Sequence, residues 1–91
     1  MEIKELGHVV LYVHDIERST GFYRDVLGFR QILGRSGARF AGFSSGRTHH
    51  ELLLIEVGPD AAALPPARRV GLYHFGLKIG DSDDDLRAAL A

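Results

Sequence analysis

Two histidines stand at equivalent places in a chain that begins the same way twice. Leu6-Gly-His8-Val-Val-Leu-Tyr-Val-His-Asp15 returns 66 residues later as Leu72-Tyr-His74-Phe-Gly-Leu-Lys-Ile-Gly-Asp81, which matches His8 with His74, Leu11 with Leu77 and Asp15 with Asp81. Neutral imidazole is the commonest side-chain metal ligand. One imidazole on each of two equivalent strands is how a two-module protein builds a shared metal site. Glu56 is a third candidate, because period-two counting puts it on one strand face with His50, Leu52 and Leu54. A carboxylate among apolar neighbours is costly to bury without a partner or a metal. His49-His50-Glu51 resembles a metal cluster, but adjacent strand residues point to opposite faces, so His49 and His50 are not expected to share an ion. A solvated turn-to-strand junction is expected there, with His50 facing a cavity as the functional alternative and the weaker metal candidate. Tyr12 shares a face with His8, and Lys78 with His74, which makes both candidate acid/base or anion-binding groups. Each candidate has a plainer reading. A histidine at a strand start is satisfied by a carbonyl, a glutamate just before Gly58-Pro59 reaches solvent, and Tyr12 and Lys78 simply line a cavity. His14 is expected on the surface.

The elements that must position these groups follow from local pattern. Gly7 to Val13 alternates as a strand, with His8, Val10 and Tyr12 on one face and Val9, Leu11 and Val13 on the other. Asp15 can accept the orphan amides of a helix over Ile16 to Leu27. Its buried stripe is Ile16, Thr20, Tyr23 and Leu27, flanked by Ser19, Phe22 and Val26, and Gly28 is its left-handed terminator. Phe29 to Leu33, Ala38 to Ser44 and Glu51 to Val57 read as three further strands, separated by Gly34-Arg-Ser-Gly37 and Ser44-Ser-Gly46. A loop through Pro65-Pro66-Ala-Arg-Arg69 leads to a fifth strand, Leu72 to Ile79. The run Asp81 to Asp85 then opens a second helix at Leu86. That run lacks the glycine and distal glutamate of an EF-hand loop and reads as helix capping. The expected division is a first βαβββ module over residues 1–58, a linker over 59–70, and the incomplete start of a second module over 71–91. Four strands and one helix leave an open sheet edge to be paired or covered. The chain is then either a fragment or completed by another chain, as in a homodimer that exchanges strands.

Composition sets the outer limits. Ninety-one residues make at most one small domain, and 45% hydrophobic content suffices for a core. A formal net charge of −1 gives no footprint for nucleic acid or an anionic membrane. The absence of cysteine excludes disulfides and thiolate chemistry and suits a reducing compartment. No apolar run approaches the roughly 18 residues of a membrane span. A cytoplasmic protein acting on a small molecule is expected.

Three stretches carry a resemblance: Gly7 to Ser19, Phe22-Tyr-Arg-Asp-Val-Leu-Gly-Phe29, and Gly71-Leu-Tyr-His-Phe-Gly-Leu-Lys78. They resemble the vicinal oxygen chelate superfamily of glyoxalases, extradiol dioxygenases, fosfomycin-resistance enzymes, epimerases and bleomycin-binding proteins. His49-His50-Glu51-Leu with Gly71 to Phe75 looks most like the catechol-dioxygenase branch. The resemblance implies an α+β fold in which two βαβββ modules cup a divalent metal. His8 and His74 match its first-strand ligands, and Glu56 matches a last-strand ligand of glyoxalase-type members. The equivalent glutamate of a second module would fall beyond Ala91, so this chain alone lacks one carboxylate of an extradiol triad.

A two-His-one-carboxylate face with open positions suits Fe(II), and by the resemblance Fe(II) or Mn(II) is the favoured metal. Two imidazoles with two carboxylates give instead a fuller shell suited to Zn(II) or Ni(II). Either binds a substrate through adjacent oxygens and stabilises developing anionic charge. The expected function is a metal-dependent enzyme of dioxygenase type. The alternatives are a glyoxalase-type lyase, a metal-free ligand-binding protein of the bleomycin-resistance kind, and an inactive half-barrel.

Overall fold

The computed structural model describes residues 1–64 and 68–90, which leaves part of the expected 59–70 linker and Ala91 outside the described residues. Four strands, β1 (Val9–Val13), β2 (Arg30–Leu33), β3 (Phe40–Ser44) and β4 (Leu52–Glu56), form one mixed sheet in the order β1-β4-β3-β2. β1 and β4 run parallel, while β4–β3 and β3–β2 are antiparallel. A parallel pair needs a long crossover, and here it consists of the helix and the β2–β3 hairpin. This is the expected α+β module, with each strand one or two residues shorter than the pattern suggested.

Helix α1 (Ile16–Thr20) starts where Asp15 accepts hydrogen bonds from the amides of Glu17 (3.0 Å) and Arg18 (3.2 Å). It continues over Gly21–Val26 as a wider π-helical segment, in which the Leu27 amide bonds the Phe22 carbonyl at 3.0 Å. Gly28 ends it at φ 86°. The core lies between this helix and one sheet face and is made of Ile16, Ala41, Phe43, Leu52 and Leu54, with Leu11, Val13, Tyr23 and Phe29 packed around them. The expected stripe holds for Ile16, Thr20 and Tyr23, but Phe22, Val26 and Leu27 are exposed. A π turn advances each residue by a smaller angle than an α turn, which rotates the later positions off the core. Gly34, at φ 84°, sits where a Cβ would run into the Phe40 carbonyl, so the β2–β3 hairpin closes only with glycine there.

The expected fifth strand is not formed. Leu72 to Ile79 has no ladder partner among the described residues, and Leu72, Tyr73, Leu77 and Ile79 are exposed. An alternating pattern states which face a strand would bury, but a strand forms only beside a neighbour that takes its hydrogen bonds. Helix α2 (Asp83–Leu90) does form, one step later than the Asp81 cap expected. Ser82 Oγ accepts from the Asp85 amide (3.2 Å), while the Asp85 carboxylate accepts from the amides of Ser82 (3.3 Å) and Asp81 (2.9 Å), a reciprocal capping box. These contacts hold the Asp85 carboxyl below its ordinary range, the Asp81 amide contributing most. Among the described residues, no helix is long and apolar enough to cross a membrane.

Candidate functional site

The sheet register sorts the candidate residues by face. Val9 pairs with Leu52, Leu11 with Leu54 and Val13 with Glu56, and paired residues project to the same side. Leu52 and Leu54 are core residues, so this side is the helix-covered one. The other side is open. It carries Val10 and Tyr12 from β1, Leu53 and Ile55 from β4, and Phe40 and Gly42 from β3. Val10 (43% exposed), Tyr12 (76%) and Phe40 (46%) all stand on it uncovered.

His8, just before β1, lies beside His50, with ring centroids 4.9 Å apart. That proximity is built by residues the local pattern does not reveal. Arg47, in the β3–β4 turn, donates to the carbonyls of Leu6 (3.0 Å) and Gly7 (3.1 Å) and pairs with Glu5 at 2.8 Å. The Val9 amide bonds the Glu51 carbonyl at 2.9 Å. The turn is tightened by Ser44 Oγ, which donates to the Thr48 carbonyl (2.8 Å) and accepts from the Gly46 amide (2.9 Å). The segment before β1 is thus strapped to the segment before β4.

His49 and His50 depart from expectation. Their Nδ1 atoms approach to 3.0 Å, with the rings edge to face at 5.3 Å. Opposite-face alternation holds only inside a strand, and β4 begins at Leu52, so both rings hang from bent backbone and converge. The Glu51 carboxylate accepts from the Ser45 amide at 3.3 Å and from the Ser45 hydroxyl. Bonding to the charged form, chiefly from that hydroxyl, lowers its pKa below the ordinary 4.5. Its second oxygen, Oε2, is shielded from solvent and has no hydrogen-bond partner among the described residues.

The other candidates lie apart. Glu56 is half-buried on the side opposite Tyr12, its carboxylate 3.9 Å from the Arg39 guanidinium and its amide bonded to the Arg39 carbonyl at 2.8 Å. His74 is exposed on irregular backbone, its ring against Tyr73 at 4.5 Å. Lys78 pairs with Asp81 at 2.8 Å and, without a strand there, shares no defined face with His74. His14 is exposed, as expected. Among the described residues, no three His, Asp or Glu side chains converge to hold an ion. One folded chain therefore presents part of a donor set, and the residues as they stand do not fit the three-donor face that a metal of this superfamily would require.

A family profile and a solved structure agree with this fold. The profile of the glyoxalase/bleomycin resistance protein/dioxygenase superfamily matches residues 5–91. A catechol-2,3-dioxygenase of Bacillus subtilis (strain 168) is 34% identical over 90 residues, which cover 99% of this chain and 30% of the relative. An iron-dependent extradiol dioxygenase of Rhodococcus jostii (strain RHA1) is 37% identical over 92 aligned positions, covering 87% of this chain and 28% of that protein. The chain thus spans under a third of the length of these relatives. Among solved structures, an integron cassette protein from the mobile metagenome of V. cholerae superposes with a TM-score of 0.58 at 29% identity, covering 99% of this chain and 68% of that one. With the profile matched over nearly its whole length and the βαβββ sheet formed, this chain belongs to the glyoxalase/bleomycin resistance protein/dioxygenase superfamily.

Proposed function

We propose that this chain is a catalytic module acting on a small substrate with vicinal oxygens, of extradiol dioxygenase type, once a second βαβββ unit closes over its open sheet face. The observation that carries this reading is the sorting of faces. The helix and core occupy one side, and the uncovered side holds Tyr12 among small and apolar neighbours, with the paired rings of His8 and His50 just ahead of β1 and β4. A concave, mostly apolar surface with a few convergent polar groups is the usual form of a small-molecule site. The names of the two relatives favour ring-cleaving oxidation over a glyoxalase-type reaction, and one of them is iron-dependent.

A divalent metal, Fe(II) or Mn(II) before Ni(II) or Zn(II), would supply a Lewis-acid centre for paired substrate oxygens. His8 and His74 are its proposed ligands, brought together only in the assembled protein. Glu56 faces Arg39 on the far side of the sheet, so the carboxylate comes from elsewhere in the assembly. Tyr12 stands on the substrate side, where its hydroxyl can donate to or take a proton from a bound phenol. Lys78, paired with Asp81 at 2.8 Å, could offset substrate charge if assembly exchanged that partner for substrate.

The test is the metal content of untagged protein together with its solution mass. Stoichiometric metal is expected in the assembled form, lost in His8→Ala and in His74→Ala and kept in Glu56→Gln. An assembled protein that carries no metal, binds ligand on this face and is unaffected by either histidine change would point to the metal-free binding protein instead.

A further inference from the structure

His49 and His50 are the two histidines whose ring nitrogens the fold brings within bonding range of one point. Their Nδ1 atoms are 3.0 Å apart. Two imidazole nitrogens bound to one ion at about 2.0–2.1 Å, with an angle between 90° and tetrahedral, stand roughly 2.9–3.4 Å apart. The observed spacing is therefore that of two cis ligands of one metal. It is also that of a hydrogen bond between two neutral rings, in which one Nδ1 donates to the other.

Three features of the surroundings favour an ion. The pair hangs from a turn held from both sides, by Ser44 on the Thr48 carbonyl and by Arg47 on the Leu6 and Gly7 carbonyls, so the two rings are held near each other before any ion arrives. His49 is exposed and His50 half-buried, which leaves an entry path and room for water ligands. The Glu51 carboxylate, next in the chain and held by the Ser45 amide at 3.3 Å, keeps a shielded oxygen that has no hydrogen-bond partner among the described residues.

We propose that His49 and His50 form a two-imidazole site for a divalent transition metal of the Cu(II) or Ni(II) kind, completed by water and distinct from the ligand pair His8 and His74 proposed above. Imidazole with water suits a tetragonal Cu(II) or Ni(II) shell, and Cu(II) stands highest in the affinity order.

The experiment uses a His8→Ala/His74→Ala double variant of the full chain, which lacks the proposed catalytic ligands and changes only exposed positions. Titration with Cu²⁺ alone, followed by calorimetry and by paramagnetic broadening of the histidine ring resonances, should show one equivalent bound. The His49 and His50 rings should broaden before that of His14. Adding His49→Gln or His50→Gln should weaken binding at least tenfold, since loss of a ligand's outer-shell partner alone costs roughly 10–100-fold. A double variant that takes up no Cu²⁺ overturns the site. So does binding that survives either glutamine change, because the site requires both rings. Wild-type metal lost in His74→Ala bears on the dioxygenase reading and leaves this one standing, so the two fail separately.

Discussion

Glu51 shows how much a single side chain can add to a site without touching substrate. The Ser45 hydroxyl and amide both donate to Oε1, which favours the ionised form and pulls its pKa below 4.5. A carboxylate with a depressed folded-state pKa contributes stability above its unfolded value, and that contribution disappears as pH falls through the folded value. Stability should therefore decline from about pH 4.5 downward, partly because of this residue. Ser45→Ala removes the largest cause, so its urea midpoint should start lower at neutral pH and fall less steeply on the acid side. Parallel acid-side curves for the two proteins would show that Ser45 does not set the Glu51 titration. At this scale the sequence was readable where the signal is local. Asp15 and Gly28 act as cap and terminator because each needs only its own neighbours. Glu51 was legible as a member of a histidine-rich cluster, but its bond to Ser45 depends on how the β3–β4 turn bends.

At the scale of elements, the strap between the two strand starts decides whether the cluster exists. β1 and β4 are neighbours and parallel, yet their N-terminal ends are separated by some forty residues of chain. Arg47 spans that gap with two carbonyl contacts and the Glu5 pair. Arg47→Ala should loosen residues 5–8 without disturbing the core, because Phe43, Leu52 and Leu54 pack on the other face. The expected readout is faster hydrogen exchange at His8 and Val9, loss of the short-range contact between the His8 and His50 rings, and an exposed ion-pair cost of about 1 kcal/mol or less. Unchanged exchange at Val9 would show that the β1–β4 ladder alone holds His8 in place. Alternation in Val9 to Val13 correctly separated the Val10 and Tyr12 face from the core face, since a strand's period is fixed by its geometry. The same rule failed for His49 and His50, which lie before β4 begins, and for Leu72 to Ile79, which has the pattern without a partner strand. The repeat that made His8 and His74 conspicuous speaks of common pattern, and it brings no contact between them within one described chain.

For the whole molecule, the imbalance between the two sheet faces is the main unfinished feature. One face buries Phe43 and Leu54 completely, while the other leaves Val10, Tyr12 and Phe40 in water, and the β1 edge of the four-stranded sheet is unpaired among the described residues. Open edges and exposed apolar faces are normally covered. A second copy of this chain, applied face to face, would cover the same residues on both partners, as a two-fold interface does. It would also give Leu72 to Ile79 a sheet to join, by exchange between copies. The expected solution mass is therefore twice the 10.0 kDa of one chain. Tyr12→Asp should return it to the monomer, because an unpaired charge would be desolvated at the centre of the interface. Far-UV circular dichroism should change little, since Tyr12 takes no part in the core. If the dimer persists in Tyr12→Asp, the contact lies elsewhere and the open face is covered by another unit. If the wild-type chain is monomeric at every accessible concentration, a second copy is excluded as the partner, and the proposed pairing of His8 with His74 must come from a different βαβββ unit.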